Sequence, residues 1–279
     1  MIIKKRPIIT WLLNPDSQKH TDGILLSEVA NSMNHQILNK HIAELDNIRL
    51  QKPMWGLPEL LMPSFEDVMK RTVSSFKEMM PTLFQEFSEQ EECGILLCKR
   101  NVTLVYRFVD NKLHIWYFIE ENGKSIFKFY SYCEHIELRL KVNIISSLIQ
   151  DDGLFKGSIE ERESSIGSVS NFIASYIAVK KHMKVEIVVI PQGKFTAIEG
   201  TPLEYVDKKK VINQTGQEVI VMDSKWFRKI VNDNDIYVRG YLRMQNKKND
   251  KGELVKELIF IDQHVRHGYH RNATIEDVM

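Results

Sequence analysis

Between Gly94 and Tyr132 the chain is committed to an antiparallel sheet. Gly94–Cys98, Val102–Val109, Lys112–Ile119 and Ser125–Tyr132 are all rich in β-branched and aromatic residues. Asp110-Asn111 and Asn122-Gly123 separate the last three runs. Asn-Gly favours a type I′ hairpin turn, because both central residues must take positive φ. Four strands joined this tightly predict a β-meander. Ile136, Leu138, Leu140 and Val142 then alternate with polar residues, which extends the pattern to a fifth strand. Asn143–Gln150 reads as a helix after it, with a single helix over Glu134–Gln150 as the alternative.

The meander is flanked by helical patterns. Leu25–Leu45 places Leu25, Leu26, Val29, Met33, Ile37 and Leu38 mostly at three- and four-residue steps. Pro53, Pro58 and Pro63 punctuate an irregular stretch, with Trp55 docking it onto a core. Ser64–Phe87 is predicted as a helix capped by Ser64, with a Met- and Phe-rich stripe and a kink or split at Pro81. Asp151-Asp152-Gly153 and Gly157-Ser158 mark a linker. A long helix is expected over Glu160–Met183, then a strand over Val185–Ile190. Residues 194–216 read as loop-rich, Gln217–Met222 as a strand, and Trp226, Phe227 and Ile230 as part of a short helix. A final hairpin is expected from Ile236–Gln245 and Glu253–His267. The class is α+β: residues 1–150 form a helical region with a β-meander. Residues 151–279 form a helix with a small curved antiparallel sheet or partial barrel.

Composition narrows the function. With 279 residues and 43% hydrophobic content, the chain can bury a sizeable core. Its net charge of +1 excludes a uniformly basic nucleic-acid coat, although Lys and Arg exceed Asp and Glu from Lys180 onward. Three cysteines, Cys93, Cys98 and Cys133, are too few and too odd in number for a disulfide framework. They read as buried thiols in a reducing compartment. The apolar run Ile8–Leu13 is too short for a signal peptide, and no segment has the length of a membrane span. A cytoplasmic protein is expected. Walker, dinucleotide, nucleophile-elbow and H-E-x-x-H motifs are all missing, and 13 glycines leave little for a phosphate cradle. Motor, dinucleotide oxidoreductase and common hydrolase functions are therefore disfavoured. Asp151, Asp152, Glu160, Glu161 and Glu163 read as an acidic linker before a cation site.

The C-terminal hairpin concentrates the remaining chemistry. Arg239, Tyr241 and Arg243 alternate along one strand, and Asp262, His264 and Arg266 along the next. If the pairing register brings these sets onto one face, they form a basic, aromatic surface. Three readings follow. The surface is a solvated sheet face with weak charge pairs. Alternatively it contacts nucleic acid through Arg239, Tyr241, Arg243, Arg266 and Arg271, extended by Lys208, Lys209 and Lys210. As a third reading, His264, His267 and His270 with Asp262 hold a divalent metal in a nuclease or other hydrolase. Strand alternation puts His264 and His267 on opposite faces, which weakens the metal reading.

The pattern Val238–Gln245 followed by Ile259–Gly268 resembles a C-terminal strand pair of uncharacterised bacterial and phage or mobile-element proteins. Tyr241 stands where histidine or phenylalanine is common there, and Phe260 where tryptophan is common. The resemblance implies a phage or mobile-element origin and no catalytic role. The expected function is a non-enzymatic protein, without cofactor, in the host cytoplasm or virion. It would bind nucleic acid or assemble with partner proteins through this hairpin. A virion structural or protein-interaction module is a further alternative.

Overall fold

The computed structural model describes residues 2–16, 24–26, 32–51, 55–61, 69, 73–98, 101–136, 139–144, 159–182, 186–196, 210–223, 236–238, 241–248, 252, 254–261 and 264–266. Three short strands, β1 (Ile2–Ile3), β2 (Ile24–Leu26) and β3 (Glu59–Leu61), and the helices α1 (Pro7–Leu13) and α2 (Ser32–Gln51) come first. A 3-10 segment, Val73–Met79, runs into α3 (Met80–Glu89). Then comes the meander: β4 (Cys93–Cys98), β5 (Val102–Val109), β6 (Lys112–Glu121) and β7 (Lys124–Ile136), paired consecutively and antiparallel. Its turns are as read, with φ of 52° and 57° at Asp110 and Asn111 and of 51° and 75° at Asn122 and Gly123. Positive φ at both central residues matches the twist of the flanking strands.

The fold is α+β, as the sequence implies. β8 (Arg139–Ile144) is the fifth strand, paired with β7, so Asn143 and Ile144 are extended rather than helical. α4 (Ile159–His182) is the long helix. Six strands of the second half, β9 (Glu186–Ile190), β10 (Gly193–Thr196), β11 (Lys210–Asn213), β12 (Val219–Asp223), β13 (Ile236–Val238) and β14 (Tyr241–Lys248), precede β15 (Leu254–Ile261) and β16 (His264–Arg266). They do not gather into one small sheet. The nine-stranded sheet runs β2-β7-β6-β5-β4-β3-β12-β9, with β8 also against β7. β1, β11 and β10 form a second sheet, and β13–β16 and β14–β15 are two-stranded ladders. The meander thus serves as the scaffold onto which later strands add. β3 joins β4 and β12 in parallel, so chain from both sides of residue 150 completes one sheet.

Both faces of this sheet are apolar, because its strands alternate between two hydrophobic sets rather than between apolar and polar. On one face Leu96, Leu104, Tyr106, Leu113, Ile115 and Tyr117 meet the 3-10 segment, α3 and α4. On the other, Ile95, Leu97, Val105, Trp116 and Phe118 meet α1 and α2. Covering both faces requires helices from both sides of the meander in sequence. A β-bulge keeps the pattern in phase. The register shifts between Tyr117 and Phe118, which pair with Phe129 and Phe127, leaving Lys128 as the extra residue. Phe127 and Phe129 therefore enter opposite cores although they are two residues apart.

Some sequence expectations need correction. Leu25 and Leu26 lie in β2, not in a helix, since Ile24–Leu26 pairs in parallel with Ser125–Phe127. A three-residue apolar run is compatible with either state until a partner strand is present. Residues 194–216 hold β10 and β11, not only loop. The expected cap at Ser64 and the short helix around Trp226 lie outside the described residues. Pro81 does divide its helix: it occupies the first turn of α3, where the absent N–H breaks no bond. The apolar run after Arg6 is the buried helix α1. No described helix is long and apolar enough to cross a membrane.

Candidate nucleic-acid interface

The C-terminal hairpin forms, with one register throughout its two ladders. Tyr241 pairs with Ile261, Leu242 with Phe260, Arg243 with Ile259 and Met244 with Leu258. Nearer the base, Ile236 pairs with Arg266 and Val238 with His264. Cross-strand partners share a face. Tyr241 and Arg243 therefore stand opposite isoleucines, and His264 and Arg266 stand opposite Val238 and Ile236. At the register positions described, Tyr241 and Arg243 do not face His264 and Arg266 across the ladders. Packing supplies the reason. Met244 and Leu258, a register pair, both lie against the core cluster under α4, so that face of the ladder turns inward.

What the ladder exposes, among the described side chains, is Arg243 and the distal half of the ribbon. Arg243 is exposed, and its Nη2 donates to Gln245 Oε1 at 2.9 Å. Gln245, Asn246, Lys247, Lys248 and Lys256 are exposed too, and Leu254 is 71% exposed. The ribbon is anchored at Met244 and Leu258 and reaches solvent beyond them. Lys210 is exposed at the start of β11, in the sheet with β1 and β10, and so belongs to a different sheet. Arg239, Arg271, Lys208, Lys209, Asp262, His267 and His270 lie outside the described residues. Among the described residues no group of three or more His, Cys, Asp or Glu is placed to hold a metal ion. Cys93 and Cys98 pack into opposite cores, and burial pushes the Cys93 and Cys133 thiols up to about 11. They do not form a metal half-site.

Among the buried polar clusters of the described residues, three join the sheet to helices. In the first, Ser125 Oγ lies 2.7 Å from Glu120 Oε2 and accepts the Ile8 N–H at 2.9 Å. Thr103 Oγ1 donates to Glu120 at 3.2 Å, and Arg6 donates to Thr103 Oγ1 at 2.9 Å and to the Val102 carbonyl. Ser125 of β7 thus satisfies a first-turn donor of α1. Burial raises the Glu120 carboxyl to about 7, opposed by the Ser125 hydrogen bond and by Arg6. In the second, His114 Nδ1 and Tyr130 Oη are 2.6 Å apart, and Tyr130 stacks on His41 at 4.2 Å. Trp116 Nε1 donates to the His41 carbonyl, which docks α2. Burial lowers His114 to about 4 and raises Tyr130. In the third, Tyr176 and Lys180 of α4 both donate to the buried Glu59 of β3. Burial, then Glu59, pushes the Tyr176 hydroxyl well up.

These clusters tie helices to the sheet, and none opens onto a described cavity. One was within reach of sequence reasoning. The Asn122-Gly123 turn dictates that Glu120 faces Ser125 across the hairpin. The Glu59–Lys180 pair spans 121 positions, and no local signal announces it. No protein-family model, curated protein or solved structure matches the chain.

Proposed function

We propose that the chain is a nucleic-acid-binding protein of phage or mobile-element origin, and that the β14–β15 ribbon is its contact element. One observation carries this: an antiparallel ribbon, anchored on the core, exposes Arg243, Lys247, Lys248 and Lys256 along its outer part. A two-stranded ribbon has the width to enter a major groove, and Lys and Arg on it meet phosphates. The corrected register changes the contact. Arg243 and the distal lysines take the role expected of a face built from Arg239, Arg243 and Arg266. The mobile-element origin rests on the resemblance of Val238–Gly268 alone.

Filter binding with duplex DNA, single-stranded DNA and RNA across a salt series tests the reading. Binding should weaken linearly in log salt. Replacing Arg243, Lys247 and Lys248 together by alanine should lower affinity at least about tenfold and flatten the slope by about two to three. No affinity for any of the three at low salt defeats the proposal.

A further inference from the structure

Arg243, Gln245 and Lys247 stand at alternate positions of β14, so they share one face of the ribbon, and all three are exposed. The other face carries Met244, which packs against the core, and farther out Asn246 and Lys248, paired with Lys256 and Leu254. Basic residues therefore occupy both faces of the outer ribbon, whereas Arg243 stands nearer the anchor, on the face turned away from the core. Gln245 pairs in register with Glu257, so that face also holds an acidic position. It suits phosphates less well than the lysine-bearing outer end does.

One hydrogen bond organises this face. Arg243 Nη2 donates to Gln245 Oε1 at 2.9 Å. A guanidinium has more N–H groups than this bond uses, so its plane is held and a parallel pair of donors remains. Guanine presents two acceptors, O6 and N7, to such a pair in the major groove of duplex DNA. Spacing agrees. Side chains two residues apart on a strand stand about 6.8 Å apart, twice the roughly 3.4 Å step between stacked bases. The row from Arg243 to Lys247 thus runs in step with every second base along a groove. Other nucleic acids fit less well. The deep, narrow major groove of A-form RNA does not admit side chains. Single strands are held by stacking on aromatic rings, and the exposed side chains described on β14 and β15 include none.

Given the ribbon as the nucleic-acid contact, we propose that it enters the major groove of duplex DNA and that Arg243 reads a guanine there through O6 and N7. Gln245 is a positioning residue that holds the guanidinium fork. Lys247, Lys248 and Lys256 meet phosphates on the groove walls. Arg243 supplies sequence preference, and the lysines supply affinity without it.

Filter binding of the full chain at fixed low salt tests this with four probes of equal length. They are a guanine-rich DNA duplex, the same duplex with 7-deazaguanine, an A·T duplex, and the RNA version of the first. The guanine duplex should bind at least about fivefold more tightly than each of the others. Arg243→Lys keeps the charge but lacks the fork, and should bring the guanine to 7-deazaguanine ratio to about one. Gln245→Ala should lower that ratio at least about twofold. Both side chains are exposed, so circular dichroism should match wild type. Equal affinity for the guanine and 7-deazaguanine duplexes overturns the guanine contact, as does a ratio unchanged in Arg243→Lys. A ratio unchanged in Gln245→Ala overturns the positioning role. Equal affinity for the DNA and RNA duplexes overturns the assignment to duplex DNA. In each of these cases the ribbon remains a nucleic-acid contact, whereas no affinity for any probe defeats that reading as well.

Discussion

The meander and the C-terminal ribbon are both antiparallel ladders, and they are used in opposite ways. β4–β7 alternate between two apolar sets and have helices over both faces, so Phe108, Ile115 and Phe118 are wholly buried. β14–β15 turn one short stretch, around Met244 and Leu258, toward the core, whereas Arg243, Gln245 to Lys248, Leu254 and Lys256 are exposed. Identical backbone pairing thus gives a scaffold in one place and an arm in the other. The difference lies in what covers each ladder, and hence in how much apolar area leaves water.

The sharpest way to break this comparison is to remove core volume. Phe87 of α3 is buried edge-on against Phe108 at 5.3 Å. Phe87→Ala should cost about 3–5 kcal/mol in urea denaturation. A loss below about 1 kcal/mol would mean that α3 is not a cover of the sheet. Next comes the Glu59 cluster. Glu59→Ala leaves Lys180 and Tyr176 without their acceptor and should cost about 2–4 kcal/mol, less than a fully buried pair because Lys180 is partly exposed.

Smaller and pH-dependent effects sharpen it further. The folded Glu120 carboxyl, at about 7, lies above its ordinary value of 4.5. The stability tied to its neutral form is complete below about 4.5 and is lost as pH rises through 7. At about 1.4 kcal/mol per pKa unit, reduced for partial exposure, the change is roughly 2 kcal/mol. His114 has the opposite sign: its folded value of about 4 lies below 6.5, so its contribution is complete above 6.5 and is lost as pH falls through 4. Urea midpoints of Glu120→Gln and wild type at pH 5 and pH 8 should converge at the lower pH and favour the variant at the higher. A constant difference would reject the assignment. Smallest of all, Lys247→Ala and Lys248→Ala should move stability by no more than about 0.5 kcal/mol while reducing nucleic-acid affinity. A large loss of stability would show that the arm is part of the core.

Legibility followed the range of the interactions. The meander could be read because its turns are coded by adjacent residues, Asp110-Asn111 and Asn122-Gly123, and their hairpin fixes which residues face each other. Glu120 opposite Ser125 was implicit in the second turn. The bulge at Lys128 was not, because it is set by which of two cores receives Phe127 and Phe129. The ribbon shows the same limit at the proposed site. Its two strands were identified correctly, but placing Tyr241 and Arg243 on one face with His264 and Arg266 required one register, and the structure has another. Leu25 and Leu26 are the complementary case, where a distant strand edge turned an apolar run into β-structure.

Local chemistry therefore decided the class of this protein, the existence and order of most of its elements, and the hairpins joined by tight turns. Each depends on periodicity or on φ preferences over a few neighbouring residues. Only tertiary structure decided that β3, β12 and β9 extend the meander, that both its faces are covered, that Glu59 meets Lys180, and which basic residues of the ribbon reach solvent. Those outcomes depend on contacts between segments far apart in the chain. Burial of apolar surface selects among several locally acceptable pairings there, and strand alternation then carries every side chain to the face that the chosen register assigns.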